Sequence, residues 1–170
     1  MASGTFTWAE ERLFPCGFSF LKVQMVSKTF GYALRAAAYV AANGKEAQKV
    51  SLQSISGALD IPHHFLGKIM QDLVRHGVLD STKGPNGGFF PNQRTATLPL
   101  SDILRITDGS LALTACILGI PRCDALNPCP LHEEFSACRS SIVEALRAKT
   151  LGEVAKKVAD GEYQLSRLVG

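Results

Sequence analysis

Apolar residues first fall into a clear repeat at Phe30, Leu34, Ala37, Ala38 and Ala41, one face of a helix predicted over residues 27–42 and closed near Asn43–Gly44. Ser51 has the side chain of a good N-cap and opens a second helix to about Leu59, with Leu52, Ile55 and Leu59 inward. Asp60-Ile61-Pro62 then interrupts the pattern. Proline is tolerated where a helix opens, because an N–H there has no partner within the helix. A third helix is therefore expected from His63 to about His76, with Phe65, Leu66, Ile69 and Leu73 inward and Gly77 ending it. "VLDSTKGPNGGFFP" reads as a short strand, a tight Gly/Pro/Asn turn and a second strand. "LPLSDILRITDG" predicts another helix, N-capped by Ser101 and ending at Gly109. Phe135, Cys138, Ile142, Val143 and Leu146 form one stripe of a long amphipathic helix, and a final helix is expected at about Leu151–Asp160.

Two helices joined by a short turn match a helix-turn-helix. A glycine-rich hairpin directly behind them is the layout of a winged helix. The expected fold is mainly α with a small β-hairpin wing: a winged helix-turn-helix plus a long dimerisation helix. A generic helical domain with a surface hairpin is the plain alternative. Residues 25–99 would be the DNA-binding domain, and residues 100–170 the cysteine loop and dimerisation helices.

Composition narrows this reading. A chain of 170 residues buries a core without needing disulfides or a metal to hold it together. No apolar run approaches the ~20 residues of a membrane span, so no membrane partner is expected. The net charge of +3 is uneven: residues 27–99 hold eight Lys/Arg against four Asp/Glu, and residues 100–170 hold eight against nine. A basic front half and a near-neutral back half fit nucleic-acid contact in front and self-association behind. Residues 1–24 lack a secretory pattern, since Glu10 and Glu11 come first and Pro15 cuts the apolar run. They read as an upstream extension or disordered arm, with Met25 as the natural start. The cytoplasm is the expected location, and in that reducing setting clustered cysteines favour metal or redox chemistry over structural disulfides.

If the third helix enters the major groove of double-stranded DNA, its outward residues near the N-terminal end reach base edges. Those are His63, His64, Gly67, Lys68 and Gln71. Lys68 can donate to guanine, Gln71 can pair with adenine, and a histidine can do either. Lys83 and Asn86 occupy the wing tip, placed for backbone or minor groove, and Arg94 could add a phosphate contact. One such module binds weakly; a homodimer on a palindromic operator is the usual solution, with the Phe135–Leu146 stripe as its interface.

"CILGIPRCDALNPCPLH", residues 116–132, concentrates three cysteines and a histidine in a turn-rich stretch. Proline and Gly119 keep it from becoming helix, so four donors in one flexible segment can wrap a single centre. The gaps of six and five residues differ from the paired Cys-x2-Cys knuckles of most zinc ribbons. A reversible thiol switch is the other open reading. An enzyme with Cys129 as nucleophile and His132 as base finds no oxyanion-hole or phosphate-loop motif beside it. A partner-protein adaptor on the same fold would lack salt-dependent DNA affinity. Cys138 reads as core, and Cys16 receives no role.

"SKTFGYALRAAAYVA", "IPHHFLGKIMQDLVRHGVL", "KGPNGGF", "LSDILRITDG" and "LGEVAKKV" together resemble the Rrf-type winged-helix transcription regulators from residue 25 to about 160. That family includes the cluster-assembly regulator, the nitric-oxide-sensing repressor and the cysteine-metabolism repressor. The resemblance implies a dimeric regulator acting on promoters, with an iron–sulfur cluster on Cys116, Cys123 and Cys129 in members that carry one. Family gaps are commonly five residues each, so the six-residue gap after Cys116 is a departure. In members like the cluster-assembly regulator the fourth ligand is a histidine that maps onto His132. In the nitric-oxide-sensing type it is an aspartate on the first helix, and that position here is Gly31, which offers no donor. The implied site is Cys3His, with 2Fe–2S favoured and 4Fe–4S, zinc or no metal as alternatives. Bound metal would fix the loop and thereby the relation of the winged-helix heads to the dimer helices.

Overall fold

The computed structural model describes residues 26–110, 114–116, 118–163 and 165. The expectations for residues 1–24, including Cys16, lie outside them. Six α-helices, a two-stranded antiparallel hairpin and one 3-10 turn at Thr95–Thr97 make up the described architecture: α1 Lys28–Asn43, α2 Leu52–Leu59, α3 His63–Arg75, β1 Asp80–Thr82, β2 Gly88–Phe90, α4 Leu100–Asp108, α5 His132–Arg147 and α6 Leu151–Ala159.

Helix α1 is the hub. Its alanines let neighbours approach closely, and Ala33, Ala36, Ala37, Ala38 and Val40 are fully buried against α2, α3, α4 and α6. Arg35 is buried among them, and its guanidinium donates to the Leu59 carbonyl at the end of α2 and to the Leu165 carbonyl at 2.8 Å. Two carbonyls thus satisfy a group whose burial would otherwise be costly. Ser27 caps α1 by accepting from the Phe30 amide, and its own N–H and hydroxyl donate to the Asp108 carboxylate at the end of α4.

Ser51 caps α2 as its sequence position predicts, accepting from the Ser54 amide at 3.1 Å. Asp60 takes a left-handed conformation, and the Ser56 hydroxyl donates to the Ile61 carbonyl at 2.7 Å, closing the turn into α3. Pro62 sits at the cap position itself, one residue before α3. The inward face of α3 is Leu66, Ile69, Met70 and Leu73, not the Phe65-led stripe; Phe65 is 57% exposed. A 3.6-residue repeat running back from Leu73 lands on Met70, Ile69 and Leu66, and Phe65 falls beyond its edge.

Gly77, at a φ of 68°, turns the chain out of α3, and Val78 and Leu79 enter the core before β1 begins. The strands pair Asp80 with Phe90, Ser81 with Phe89 and Thr82 with Gly88. Val50 adds a bridge to Phe89 through reciprocal 2.9 Å bonds. Close backbone passage fixes the wing glycines: a Cβ on Gly87 would meet the Thr82 carbonyl oxygen and one on Gly88 the Val50 carbonyl oxygen at 2.7 Å.

Ser101 lies inside α4, not at its cap. Pro99 holds that position, because Leu100 is already committed to the core and its amide donates to the Lys149 carbonyl at 2.9 Å. The Leu151 amide likewise donates to the Leu98 carbonyl, so the chain returns at residue 149 to where it left at residue 100. A reciprocal capping box between Thr150 and Glu153 opens α6. The cysteine loop and α5 hang from this junction as an excursion. Helix α5 buries no residue, and Phe135, Cys138, Ile142, Val143 and Leu146 are each half-buried. No described helix is long and apolar enough to cross a membrane.

Candidate metal centre and nucleic-acid interface

Three turns gather the donors. The Gly119 amide donates to the Cys116 carbonyl at 2.9 Å, with Gly119 at a φ of 70°. Asp124 Oδ1 accepts from the amides of Leu126 and Asn127, both at 2.9 Å, and these bonds hold its carboxyl below the usual carboxylate range. The His132 amide donates to the Cys129 carbonyl at 3.0 Å, starting α5. Arg139 on α5 reaches back and donates to the Thr114 carbonyl at 2.7 Å, tying the loop's first residues to the helix that follows it.

The result is a sulfur cluster. Sγ atoms of Cys116, Cys123 and Cys129 lie within 4.8 Å of one another, and the Cys116 and Cys129 sulfurs are 3.7 Å apart. Two thiolates at about 2.3 Å on a tetrahedral metal sit ~3.8 Å apart. His132 Nδ1 joins from one side, 3.1 Å from Cys123 Sγ. The residues present therefore fit a thiolate-bound metal group, with imidazole at the rim. Burial pushes the Cys116 thiol up, but the backbone at Ile120 and Leu118 and the thiols of Cys123 and Cys129 outweigh it and bring it to about 7. Backbone hydrogen bonding at Cys129 lowers the Cys123 thiol; desolvation and its two sulfur neighbours win and leave it raised. Three adjacent sulfurs do not all ionise alike without a cation, and a bound cation removes that conflict. Helix α5, whose N-terminal end carries partial positive charge, begins three residues after Cys129.

Around the sulfurs, Leu118, Ile120, Leu126 and Leu131 are exposed, Leu126 at 90%. Gly31 stands on α1 with open space where a side chain would project. Cys138 is half-buried on α5 and outside the three-sulfur group.

On the head, His63, His64, Lys68 and Gln71 are all exposed along α3, and Lys83 and Asn86 are exposed on the wing. Gly67 does not face freely outward: a Cβ there would touch Leu52 Cδ2 of α2 at 3.6 Å. Phe65, expected in the core, lies instead on the exposed side, its ring centroid 4.3 Å from that of His64. Arg94 stands apart from the others, over Gly77 at the root of the wing. Phe65 is the feature the sequence reading missed; the competing Met70 at proper helical spacing was the signal that could have found it.

The profile of Rrf2, described as an iron-dependent transcriptional regulator, matches residues 26–157. The chain belongs to the Rrf2 family. The regulator NsrR of Geobacillus kaustophilus is 28% identical over 124 residues, covering 72% of this chain and 84% of that one. The regulator IscR of an Escherichia coli strain is 28% identical over 123 residues, covering 72% and 75%. The solved structure of CymR, the global cysteine regulator of Bacillus subtilis, superposes with a TM-score of 0.62 at 21% identity, covering 81% of this chain and 98% of that one. As an Rrf2 member the chain is a DNA-binding transcriptional regulator and not an enzyme. Its winged-helix architecture is that of the solved neighbours.

Proposed function

We propose that this Rrf2-family regulator acts as a homodimer on a palindromic duplex operator, with its DNA affinity set by an iron–sulfur cluster on the Cys116–His132 loop. The convergence of three sulfurs within 4.8 Å, with His132 against Cys123, carries the sensory half. The ligands are Cys116, Cys123, Cys129 and His132. A 2Fe–2S group is favoured, because Gly31 offers no carboxylate and an imidazole donor is the one at hand. When bound, the cluster supplies a redox couple and a cross-link that oxidants can break. The chain's own residues do the rest. The α5 N-terminus favours the ionised thiolates, and Arg139 couples the loop's start to α5. Asp108 and Ser27 couple the end of α4 to α1, on which α3 packs.

On the DNA side, His63, His64, Lys68 and Gln71 read base edges, and Lys83 and Asn86 touch backbone or minor groove. Arg94 is assigned to phosphate, and Phe65 joins the reading face. Residues 25–99 form the DNA-binding unit, and residues 100–170 the sensing and dimerising unit. The half-buried stripe of α5 and the exposed leucines of the loop supply the apolar area a second copy would cover. The cytoplasm, where promoters are, is the site of action. The test is purification without oxygen from iron-replete cells, followed by a visible spectrum with iron and sulfide counts. Iron-bearing, coloured protein supports the reading, and a colourless, iron-free preparation overturns its sensory half.

A second reading has its own observation. Cys116 and Cys129 sulfurs 3.7 Å apart, with the Cys116 thiol near 7, also suit a cluster-free thiol switch. It predicts colourless protein whose DNA binding falls with peroxide and returns with reductant.

A further inference from the structure

A second polar site shares no lining residue with the sulfur cluster. A cavity of about 220 Å³ opens between the C-terminal end of α3 and the outer face of α4, lined by His76, Arg94, Leu98, Asp102, Arg105 and Ile106. Three of those six side chains are basic types and one is acidic. At about 1.5 Å of rise per residue, His76 stands roughly 20 Å along α3 from the base-reading end at His63.

The frame around this cavity is rigid. Asn92 donates from Nδ2 to the Gly77 carbonyl at 3.2 Å and to Asp80 Oδ1 at 3.1 Å. Its own Oδ1 accepts from the amides of Arg94 and Thr95. The buried Thr95 hydroxyl donates to the Val78 carbonyl at 2.7 Å. Those bonds lock the segment that carries Arg94 onto the turn that follows α3, and set its Nη1 at 3.4 Å from where a Cβ on Gly77 would be. Glycine at 77 is favoured by its φ of 68°.

Charge balance within the cavity is incomplete. Arg105 pairs with Asp102 at 3.1 Å. No ion pair to Arg94 exists among the described residues. His76 engages its Nδ1 with the Asp72 carbonyl at 2.8 Å, which leaves Nε2 as the ring's remaining polar atom. Buried Leu98 and half-buried Ile106 give the cavity an apolar floor, against which a polar occupant is less well screened by water. A guanidinium fork suits an oxyanion with two adjacent oxygens.

The geometry points to an oxyanion-binding site, for a phosphate group, formed by Arg94, Arg105 and His76 and bridging the recognition helix to α4. Asp102 holds Arg105 in place at one wall and limits how much negative charge the site accepts. Because α4 leads directly into the cysteine loop, an occupant here would tie the reading helix to the sensing segment at a point distinct from the sulfurs. The phosphate can belong to the DNA backbone or to a free small molecule, and the site does not depend on whether the loop carries a cluster.

Inorganic phosphate is the probe, titrated into the full-length protein while backbone amide resonances are recorded, beside the Arg94→Gln and Arg105→Gln variants. Shifts confined to residues 76–78, 94–98 and 102–106 are expected. Each variant should weaken phosphate binding by roughly tenfold, the loss of one charge-assisted hydrogen bond. Circular dichroism and the unperturbed remainder of the spectrum report that the variants fold. Binding of a duplex selected by the protein from a random pool separates the two sources. If Arg94→Gln lowers the slope of log affinity against log salt by about 1, the phosphate is the backbone's; an unchanged slope with the amide shifts intact assigns a free oxyanion. Amide shifts absent, or equal in wild type and both variants, together with an unchanged salt slope, overturn the site.

Discussion

The winged-helix head and the cysteine arm obey opposite rules. In the head, a single chain buries its own core: five positions of α1 and the inward faces of α2, α3 and α4 are sealed from water. In the arm, α5 buries nothing and leucines of the loop stand in solvent. The head is a finished object. The arm carries its chemistry at the surface, in a half-buried apolar stripe and three sulfurs within 4.8 Å of one another. The arm is therefore where the molecule can respond to its surroundings, since a segment held by few buried contacts is one whose order an added ligand can change.

The sharpest break in the comparison comes from one substitution in each region. Cys129→Ser should abolish iron binding, measured as iron per protomer after anaerobic purification, while leaving the thermal unfolding of the head in place. Leu66→Ala should do the reverse, costing about 2–5 kcal/mol of head stability in denaturant unfolding with the sulfurs untouched. Next comes Ile142→Asp, which places a carboxylate on the half-buried stripe of α5. Sedimentation should show protomers in place of the dimers proposed for wild type, with the monomeric head still folded.

How much of this was legible in the sequence follows the same division. The head's helices and hairpin could be read because local rules set them: Ser51 as a cap, Gly77 as a stop, and Gly87 and Gly88 where backbones pass closely. Errors arose where tertiary packing chose between neighbours. Met70 displaced Phe65 from the inward face, and commitment of Leu100 to the core moved the α4 cap from Ser101 to Pro99. The donor residues of the arm were visible as a composition. Their capacity to wrap one centre followed from their number in one turn-rich segment; the means did not, because it rests on turns closed by Asp124 and by the start of α5 and on the long-range reach of Arg139. The basic cavity at Arg94 was hidden for a related reason: its walls come from three separate segments.

Smaller effects refine the comparison. Phe65→Ala should weaken binding to a selected duplex by up to about tenfold, within the range of a lost base contact, and relax preference at one position. The head's stability should hardly change, as befits an exposed ring. Lys83→Ala should lower the salt slope by about 1 without altering preference. Smallest is a pH effect in iron-free protein. Thiolate is the reactive form, so alkylation at Cys116 should rise through about pH 7 and level off above it. An ordinary thiol keeps rising to ~8.5. Cys116→Ser should delete that early component.

Operator affinity of one anaerobic preparation, measured before and after its iron is stripped by a chelator, tests most directly whether the arm governs the head. Iron-bearing protein should shift its affinity for the duplex on stripping and regain it when iron and sulfide are restored. Equal affinities in the two states would contradict it.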